Sequence, residues 1–164
     1  GYIVDKAVAL LKEAKVKHII VDAGGDVFIS GGRPGRFVWD EARAALVGVQ
    51  NPFNPSELVA IIRLFHGAVL TSGDYQRFFV QDNVRYSHIL DPRTGYPARG
   101  VSSVTITGPN AALADAVATA VFVLGRERGL ILIDSWPEIE GMIIGEDEQI
   151  SMSKGMEDIT EILR

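Results

Sequence analysis

The clearest hydrophobic pattern in this chain is NAALADAVATAVFVL, which occupies residues 110–124. Nearly every position in it is small or apolar, and this predicts a helix that is buried on most of its surface. Asp115 and Thr119 are exceptions, and their i,i+4 spacing places both side chains on one face of the helix, one turn apart. A buried carboxylate needs a cation or hydrogen-bond donors, yet no Lys or Arg occurs between Arg99 and Arg126.

Two interpretations of this helix remain open. In the first, Asp115 and Thr119 supply oxygen ligands, which suit a hard cation such as Mg²⁺ that also binds substrate phosphates. In the second, the helix belongs to the core and Asp115 accepts hydrogen bonds from backbone amides of a neighbouring loop. The spacing alone favours the core interpretation, because structural networks also contain buried acids.

Shorter apolar runs separated by turn signals occupy most of the remaining chain. Helical periodicity is present at residues 3–14, and a further helix is predicted at residues 126–134. Strands are predicted at residues 18–21, 27–29, 37–40, 44–49, 58–65, 68–71, 77–80, 84–88, 101–107, 139–144 and 149–152. The runs at 37–40 and 44–49 are expected to form one hairpin. Many hairpins with separate helices predict an α+β fold, an antiparallel sheet with segregated helices, formed by residues 1–164 as a single unit.

Length, charge and composition limit the classes of protein to which this chain can belong. A length of 164 residues suits one domain with a sizeable core. The net charge is −5 and no basic stripe is present, so we expect no nucleic-acid partner. The chain has no cysteine, which excludes disulfides and thiol catalysis. No apolar run approaches the ~18 residues of a membrane helix.

Two glycine-containing segments are candidate ligand-binding loops. Gly24 and Gly25 lie between two predicted strands, where paired glycines let a backbone approach a ligand. Such a pair is more often a bulge or a tight turn. Ser72 and Gly73 directly follow a predicted strand, and their backbone N–H groups could bind phosphate. A simple Ser or Asx turn explains that segment equally well.

His88 is the candidate general base of the chain. It lies in a segment that also contains an acid and two arginines, and a histidine can act as a general base near neutral pH. A lone strand histidine is more often structural, and we assign His18 and His66 to that class. A triad of Ser87, His88 and Asp91 is not credible, because neighbouring strand residues point to opposite faces.

Four motifs occur in order along the chain: GGD, TSGDYQRFF, YSHILDPRTGYP and TGPNAALADAVATAVFVLG. Together they resemble the ApbE family, the FAD:protein FMN transferases, along nearly the whole chain, including KGMED near the end. The resemblance implies an α+β fold related to T-fold proteins. It also implies an enzyme that binds FAD, holds its pyrophosphate with Mg²⁺, transfers FMN to a threonine hydroxyl of a target protein and releases AMP.

The resemblance also assigns site residues. Asp115 and Thr119 coincide with the DxxxT metal ligands of the family, which reverses the preference for a core role. His88 falls on the family's histidine, a base for the acceptor hydroxyl, and Ile89 falls where the SHI segment contacts flavin. With these, Gly24, Gly25, Ser72 and Gly73 complete the expected cofactor-binding set.

The first residues look like the end of the family's AKGY-x-VD element, so we expect the chain to correspond to the C-terminal half of such a protein. This predicts weak flavin binding by the chain alone, and association with a complementary N-terminal segment or with itself. Two other functions stay open: an FAD pyrophosphatase that produces FMN and AMP, and a non-catalytic flavin-binding module. The resemblance further suggests a location at the periplasmic side of the cell envelope, with a lipid anchor on a preceding segment as one option.

Overall fold

A computed structural model describes residues 1–31, 33–34, 39–40, 43–82 and 84–163 of the chain. The helices are α1 Tyr2–Glu13, α2 Ala111–Leu124, α3 Arg126–Asp134 and α4 Lys154–Ile159. The strands are β1 Ile19–Ala23, β2 Asp26–Ser30, β3 Arg33–Pro34, β4 Trp39–Asp40, β5 Ala45–Gln50, β6 Leu58–Leu64, β7 His66–Gly73, β8 Phe78–Gln81, β9 Val84–Ser87, β10 Val101–Gly108, β11 Glu140–Gly145, β12 Ile150–Met152 and β13 Thr160–Ile162.

A six-stranded antiparallel sheet organises the molecule. Its strand order is β1-β2-β7-β10-β11-β12, so β7 and β10 lie at the centre. Residues 101–107 of β10 are all buried, which means that both faces of the sheet are covered there. Such continuous burial explains why this strand carries apolar and small hydroxyl side chains but no charge.

Different elements cover the two faces of the large sheet. Helices α1, α2 and α3 pack on one face, and their core side chains include Val8, Phe122 and Ile133. On the other face lies a second core, formed by a three-stranded sheet of order β13-β6-β5 together with α4 and including Ile62 and Met156. The α+β fold with antiparallel sheets and segregated helices is therefore confirmed.

One predicted hairpin is wrong. The residues of β4 pair with β3, whereas β5 pairs with β6, so residues 37–40 and 44–49 do not form a hairpin with each other. Residues 37 and 38 lie outside the described part of the chain. The pairing of β5 with β6 brings Val49 beside Ala60 in the second core, which the sequence pattern of either strand alone does not reveal. Helix α4 was not predicted, whereas α1, α2 and α3 lie close to their predicted bounds.

The described helices do not include one that is both long enough and apolar enough to cross a membrane.

Candidate functional site

A cavity of about 290 Å³ lies where β7 extends beyond its neighbour β2. The pairing of these two strands reaches only Val69, while β7 continues to Gly73, so within the described part of the chain residues 70–73 have no strand partner on that edge. The cavity is lined by Asp26, Thr71, Ser72, Gly73, Gln76, His88, Ile89, Leu90, Asp115 and Thr119. Three larger clefts, of about 510, 530 and 310 Å³, contain none of the predicted site residues, so the chemistry rather than the size identifies the site.

Helix α2 supplies one wall of the cavity, and its position is set at its first turn. The Asn110 side chain accepts a hydrogen bond from the backbone N–H of Leu113, at 2.9 Å. The two carboxylate oxygens of Asp5 accept from the N–H groups of Ala111 and Ala112, at 2.8 and 2.9 Å. Because acceptors at a helix N-terminus satisfy otherwise unpaired donors, this contact from α1 fixes where α2 begins.

Eleven of the fourteen residues of α2 are buried or half-buried, as expected, but the expectation of a buried Asp115 is corrected. Half of the Asp115 side-chain surface is exposed, and Thr119 is exposed as well. The helix buries the face that carries Ala114, Ala118 and Phe122. Asp115 therefore avoids the cost of burying a charge by facing the cavity.

The carboxylates of Asp26 and Asp115 approach each other across the cavity, because both contact one nitrogen. The amino nitrogen of Gly1 donates to Oδ2 of Asp26 at 2.7 Å and to Oδ2 of Asp115 at 3.0 Å. The pair of carboxylates thus forms a place that favours positive charge.

This donor set fits a hard divalent cation. Asp26 and Asp115 supply carboxylate oxygens, and the Thr119 hydroxyl lies one helical turn from Asp115. The described residues contain no group of three or more His, Cys, Asp or Glu side chains that could hold a metal. A cation here would therefore need further oxygens from hydroxyls, backbone carbonyls or substrate phosphates, which is how Mg²⁺ is commonly bound.

Ser72 and Gly73 form the end of β7 rather than a loop. They pair with Val104 and Ser103 of β10, which corrects the predicted turn. The space around Gly73 is filled by Tyr75: a Cβ at this glycine would lie 2.9 Å from Cδ1 of that ring and closer still to Cε1. The absence of a side chain at this position thus lets the tyrosine ring pack against the strand.

His88 lies on the cavity wall just after β9 and is exposed. Its backbone N–H donates to the Arg77 carbonyl at 3.1 Å, and its Nδ1 lies 3.1 Å from the same oxygen. Since a carbonyl only accepts, this hydrogen bond requires the proton on Nδ1 and leaves Nε2 free to accept a proton. The side chain is therefore suited to the role of a base.

The two residues that flank His88 in the chain are buried, whereas His88 is exposed. Ser87 and Ile89 are buried, at 7% and 6% exposure, and Ile89 belongs to the main core while also lining the cavity. The Asp91 carboxylate accepts hydrogen bonds from the side chain of Arg93, and these lower the pKa of Asp91 to about 2. Asp91 therefore serves the turn that follows β9, which agrees with the rejection of a Ser–His–Asp triad.

Gly24 and Gly25 lie outside the cavity. They form the two-residue turn between β1 and β2, with φ of +72° and +100°, and Asp22 accepts a hydrogen bond from the Gly25 N–H at 2.9 Å. Backbone angles of this kind are the ones that glycine adopts easily. A flavin-binding role for these two glycines stays a prediction, whereas the turn itself explains them.

Four residues that line the cavity were not among the predicted site residues: Asp26, Thr71, Gln76 and Leu90. The signal for Asp26 was present, because it directly follows the glycine pair in the GGD motif. The tight turn directs β2 back along β1 and places this carboxylate opposite Asp115. Nothing in the local pattern singles out Gln76.

Comparisons with known proteins show similarity along nearly the whole chain. The FAD:protein FMN transferase of Treponema pallidum is 36% identical over 173 residues, covering 99% of this chain and 46% of that protein. The structure of the ApbE protein from Thermotoga maritima superposes with a TM-score of 0.86 at 39% identity, covering 97% of this chain and 50% of that one. The flavin transferase ApbE from Vibrio cholerae superposes with a TM-score of 0.78 at 29% identity, and 48% of it is covered.

The chain thus spans about half the length of these relatives. The model of the ApbE family matches residues 1–143, which is most of the sequence and includes every residue that lines the cavity. The chain belongs to the ApbE family.

Proposed function

We propose that this chain forms the metal-binding and acceptor-binding part of an enzyme that transfers FMN from FAD to a threonine hydroxyl of a target protein and releases AMP. The observation that carries the proposal is that the carboxylates of Asp26 and Asp115 meet at one nitrogen, at 2.7 and 3.0 Å, in the same cavity as the Nε2 side of His88. The names of the relatives, FAD:protein FMN transferase, support flavin transfer as the activity.

In this reaction the threonine oxygen attacks the phosphorus on the FMN side of the pyrophosphate. The bond from that phosphorus to the bridging oxygen breaks, and AMP leaves with this oxygen. His88 accepts the threonine proton at Nε2, and its hydrogen bond to Arg77 holds the ring in the required tautomer. A positioned base of this kind contributes ~10²–10⁴ in rate.

Asp26, Asp115 and Thr119 are the residues that would hold Mg²⁺, with Ser72 beside Thr119. The bound ion supplies charge neutralisation at the pyrophosphate, which phosphoryl-type transfer needs. Ile89, Ser72 and Gly73 line the same cavity and are proposed to contact the flavin nucleotide.

We propose that the remaining surface of the flavin is covered by a complementary N-terminal segment or by a second copy of the chain. The chain spans about half the length of its relatives, which leaves room for such a segment. Large apolar side chains of α1 are exposed, with Tyr2 at 65%, Ile3 at 76% and Leu10 at 66%, and such surfaces recruit partners. A location at the cell envelope stays a prediction of the family resemblance.

The decisive experiment incubates the native protein with FAD, Mg²⁺ and a threonine-containing acceptor protein. We expect the acceptor to gain the mass of FMN, with AMP formed in equal amount.

The second candidate is an FAD pyrophosphatase, which the exposure of Thr119 and His88 to solvent favours, because water can reach the same atoms. Release of AMP and free FMN without labelling would establish that hydrolase, and no AMP at all would indicate a binding module.

A further inference from the structure

Strands β8 and β9 form a two-stranded ribbon, here called the aromatic hairpin, whose apolar side chains face solvent. Phe78, Phe79 and Val80 follow one another and are 45%, 60% and 60% exposed. In a half-buried strand apolar and polar positions alternate. Packing of this ribbon therefore does not explain three consecutive exposed apolar residues. Exposed apolar clusters of this kind usually mark an interaction surface.

The aromatic hairpin is ordered by contacts between its own side chains. The rings of Phe79 and Tyr86 are stacked, with centroids 5.0 Å apart and planes 6° from parallel. The Arg85 guanidinium lies 4.5 Å from the centroid of the Phe78 ring and 3.6 Å from Oδ1 of Asp74, which follows β7. These contacts hold the apolar side chains in place before any partner arrives, which lowers the entropic cost of binding.

The hairpin is continuous with the wall of the cavity. Gln76 shortly precedes β8 and His88 directly follows β9, and both line the cavity. The hydrogen bond from the His88 N–H to the Arg77 carbonyl closes the base of the ribbon. A polypeptide that presents a hydroxyl to Nε2 of His88 must therefore pass beside the aromatic hairpin.

We infer that the aromatic hairpin docks an extended segment of the acceptor protein, in which apolar side chains flank the threonine that receives FMN. The inference rests on the proposed transferase function. Within the described residues β8 and β9 pair only with each other, so their outer backbone edges are available to an added strand. A second copy of the chain seated here would close the entrance that the acceptor needs, which is why we assign the surface to the acceptor.

The test measures binding of two short fluorescent peptides to the native protein in the presence of FAD and Mg²⁺. Both carry one central threonine, flanked by valine and leucine in the first peptide and by serine in the second. We expect the apolar peptide to bind more tightly, and Phe79→Ser to weaken it about tenfold or more, as for an aromatic anchor of an interface. FAD affinity should not change, because the substitution leaves the cavity lining intact.

Phe65→Ser is the matched control, since Phe65 is 54% exposed and precedes β7 at the end away from the cavity, roughly 20 Å or more along that strand. It should leave peptide binding unchanged. Val80→Ser is a second hairpin variant, to be used if Phe79→Ser does not fold. It should also weaken binding of the apolar peptide.

Several results would overturn the inference. These are a native protein that fails to bind the apolar peptide, hairpin variants that bind that peptide as tightly as the native protein does, or hairpin variants that lose affinity for FAD. A native dimer that the hairpin variants convert to monomers in light scattering would assign the surface to a second copy instead. FMN transfer to the peptide is followed separately by mass spectrometry. Hairpin-dependent binding without transfer would leave the docking surface standing and reject the transferase proposal.

Discussion

The hydroxyl oxygens of Ser72 and Thr119 lie 3.1 Å apart and form a hydrogen bond. Ser72 is the penultimate residue of β7 and Thr119 belongs to α2, so the contact joins the end of a central strand to the helix that covers it. Both residues line the cavity with Asp115. The contact makes the position of the candidate metal ligands depend on the sheet as well as on the helix.

The first prediction concerns the carboxylate pair. Asp115→Asn should keep the fold, because half of the Asp115 side chain is exposed, but it should weaken Mg²⁺ binding at least about tenfold through loss of a charged ligand. Isothermal titration calorimetry with Mg²⁺ in the presence of FAD measures the affinity, and Asp26→Asn should act in the same direction. Asp134→Asn, an exposed acid on α3, is the control. Unchanged affinity in both cavity variants would reject the metal assignment.

The second prediction separates the base from flavin binding. His88→Ala should lower FMN transfer by ~10²–10⁴, the range for loss of a positioned base, and leave FAD binding largely intact. Single-turnover assays give the transfer rate, and fluorescence titration gives the FAD affinity. His66→Ala is the matched control, because that histidine is also exposed and hydrogen-bonds to Ser30 at the opposite end of β7. Transfer at the native rate in the His88 variant would mean that His88 is structural.

The third prediction tests why Gly73 lacks a side chain. Gly73→Ala would place a Cβ 2.9 Å from Cδ1 of Tyr75, so the ring must move, at a cost of about 1–3 kcal/mol in the free energy of unfolding. Urea denaturation measures this loss. In a Tyr75→Ala background the same substitution should cost much less, because the clashing ring is absent, and the double-mutant cycle gives the coupling. Equal costs in the two backgrounds would show that Tyr75 is not the reason for the glycine.

The fourth prediction concerns the turn after β9. Hydrogen bonds from Arg93 lower the pKa of Asp91 to about 2, so Arg93→Gln should raise this pKa toward the ordinary value of ~3.9. Because the folded-state pKa is depressed, the pair stabilises the fold above the unfolded-state pKa, and this contribution is lost as the pH falls toward about 2. Carboxyl ¹³C NMR titration measures the pKa. Arg99→Gln is the control, and an Asp91 pKa that stays near 2 in the Arg93 variant would contradict the assignment.

Local patterns were sufficient for several parts of the site. The periodicity of residues 110–124 predicts a helix, and any helix places Asp115 and Thr119 one turn apart. Alternation along a strand separates Ser87 from His88 whatever the rest of the chain does, as their different burial shows. The glycine pair before Asp26 likewise predicts a tight turn from backbone preferences alone.

The sequence by itself therefore determined α1, α2 and α3 near their observed bounds, the antiparallel α+β class and the order of motifs that resembles the ApbE family. Only the tertiary structure decided which face of α2 is exposed, that Asp26 stands opposite Asp115, and that a cavity lies where β7 extends beyond β2. It also decided that β5 pairs with β6 rather than with β4. The physical reason is the sequence separation of the interactions. Helical and strand periodicity act between residues a few positions apart, whereas exposure and strand pairing depend on contacts between segments far apart in the chain.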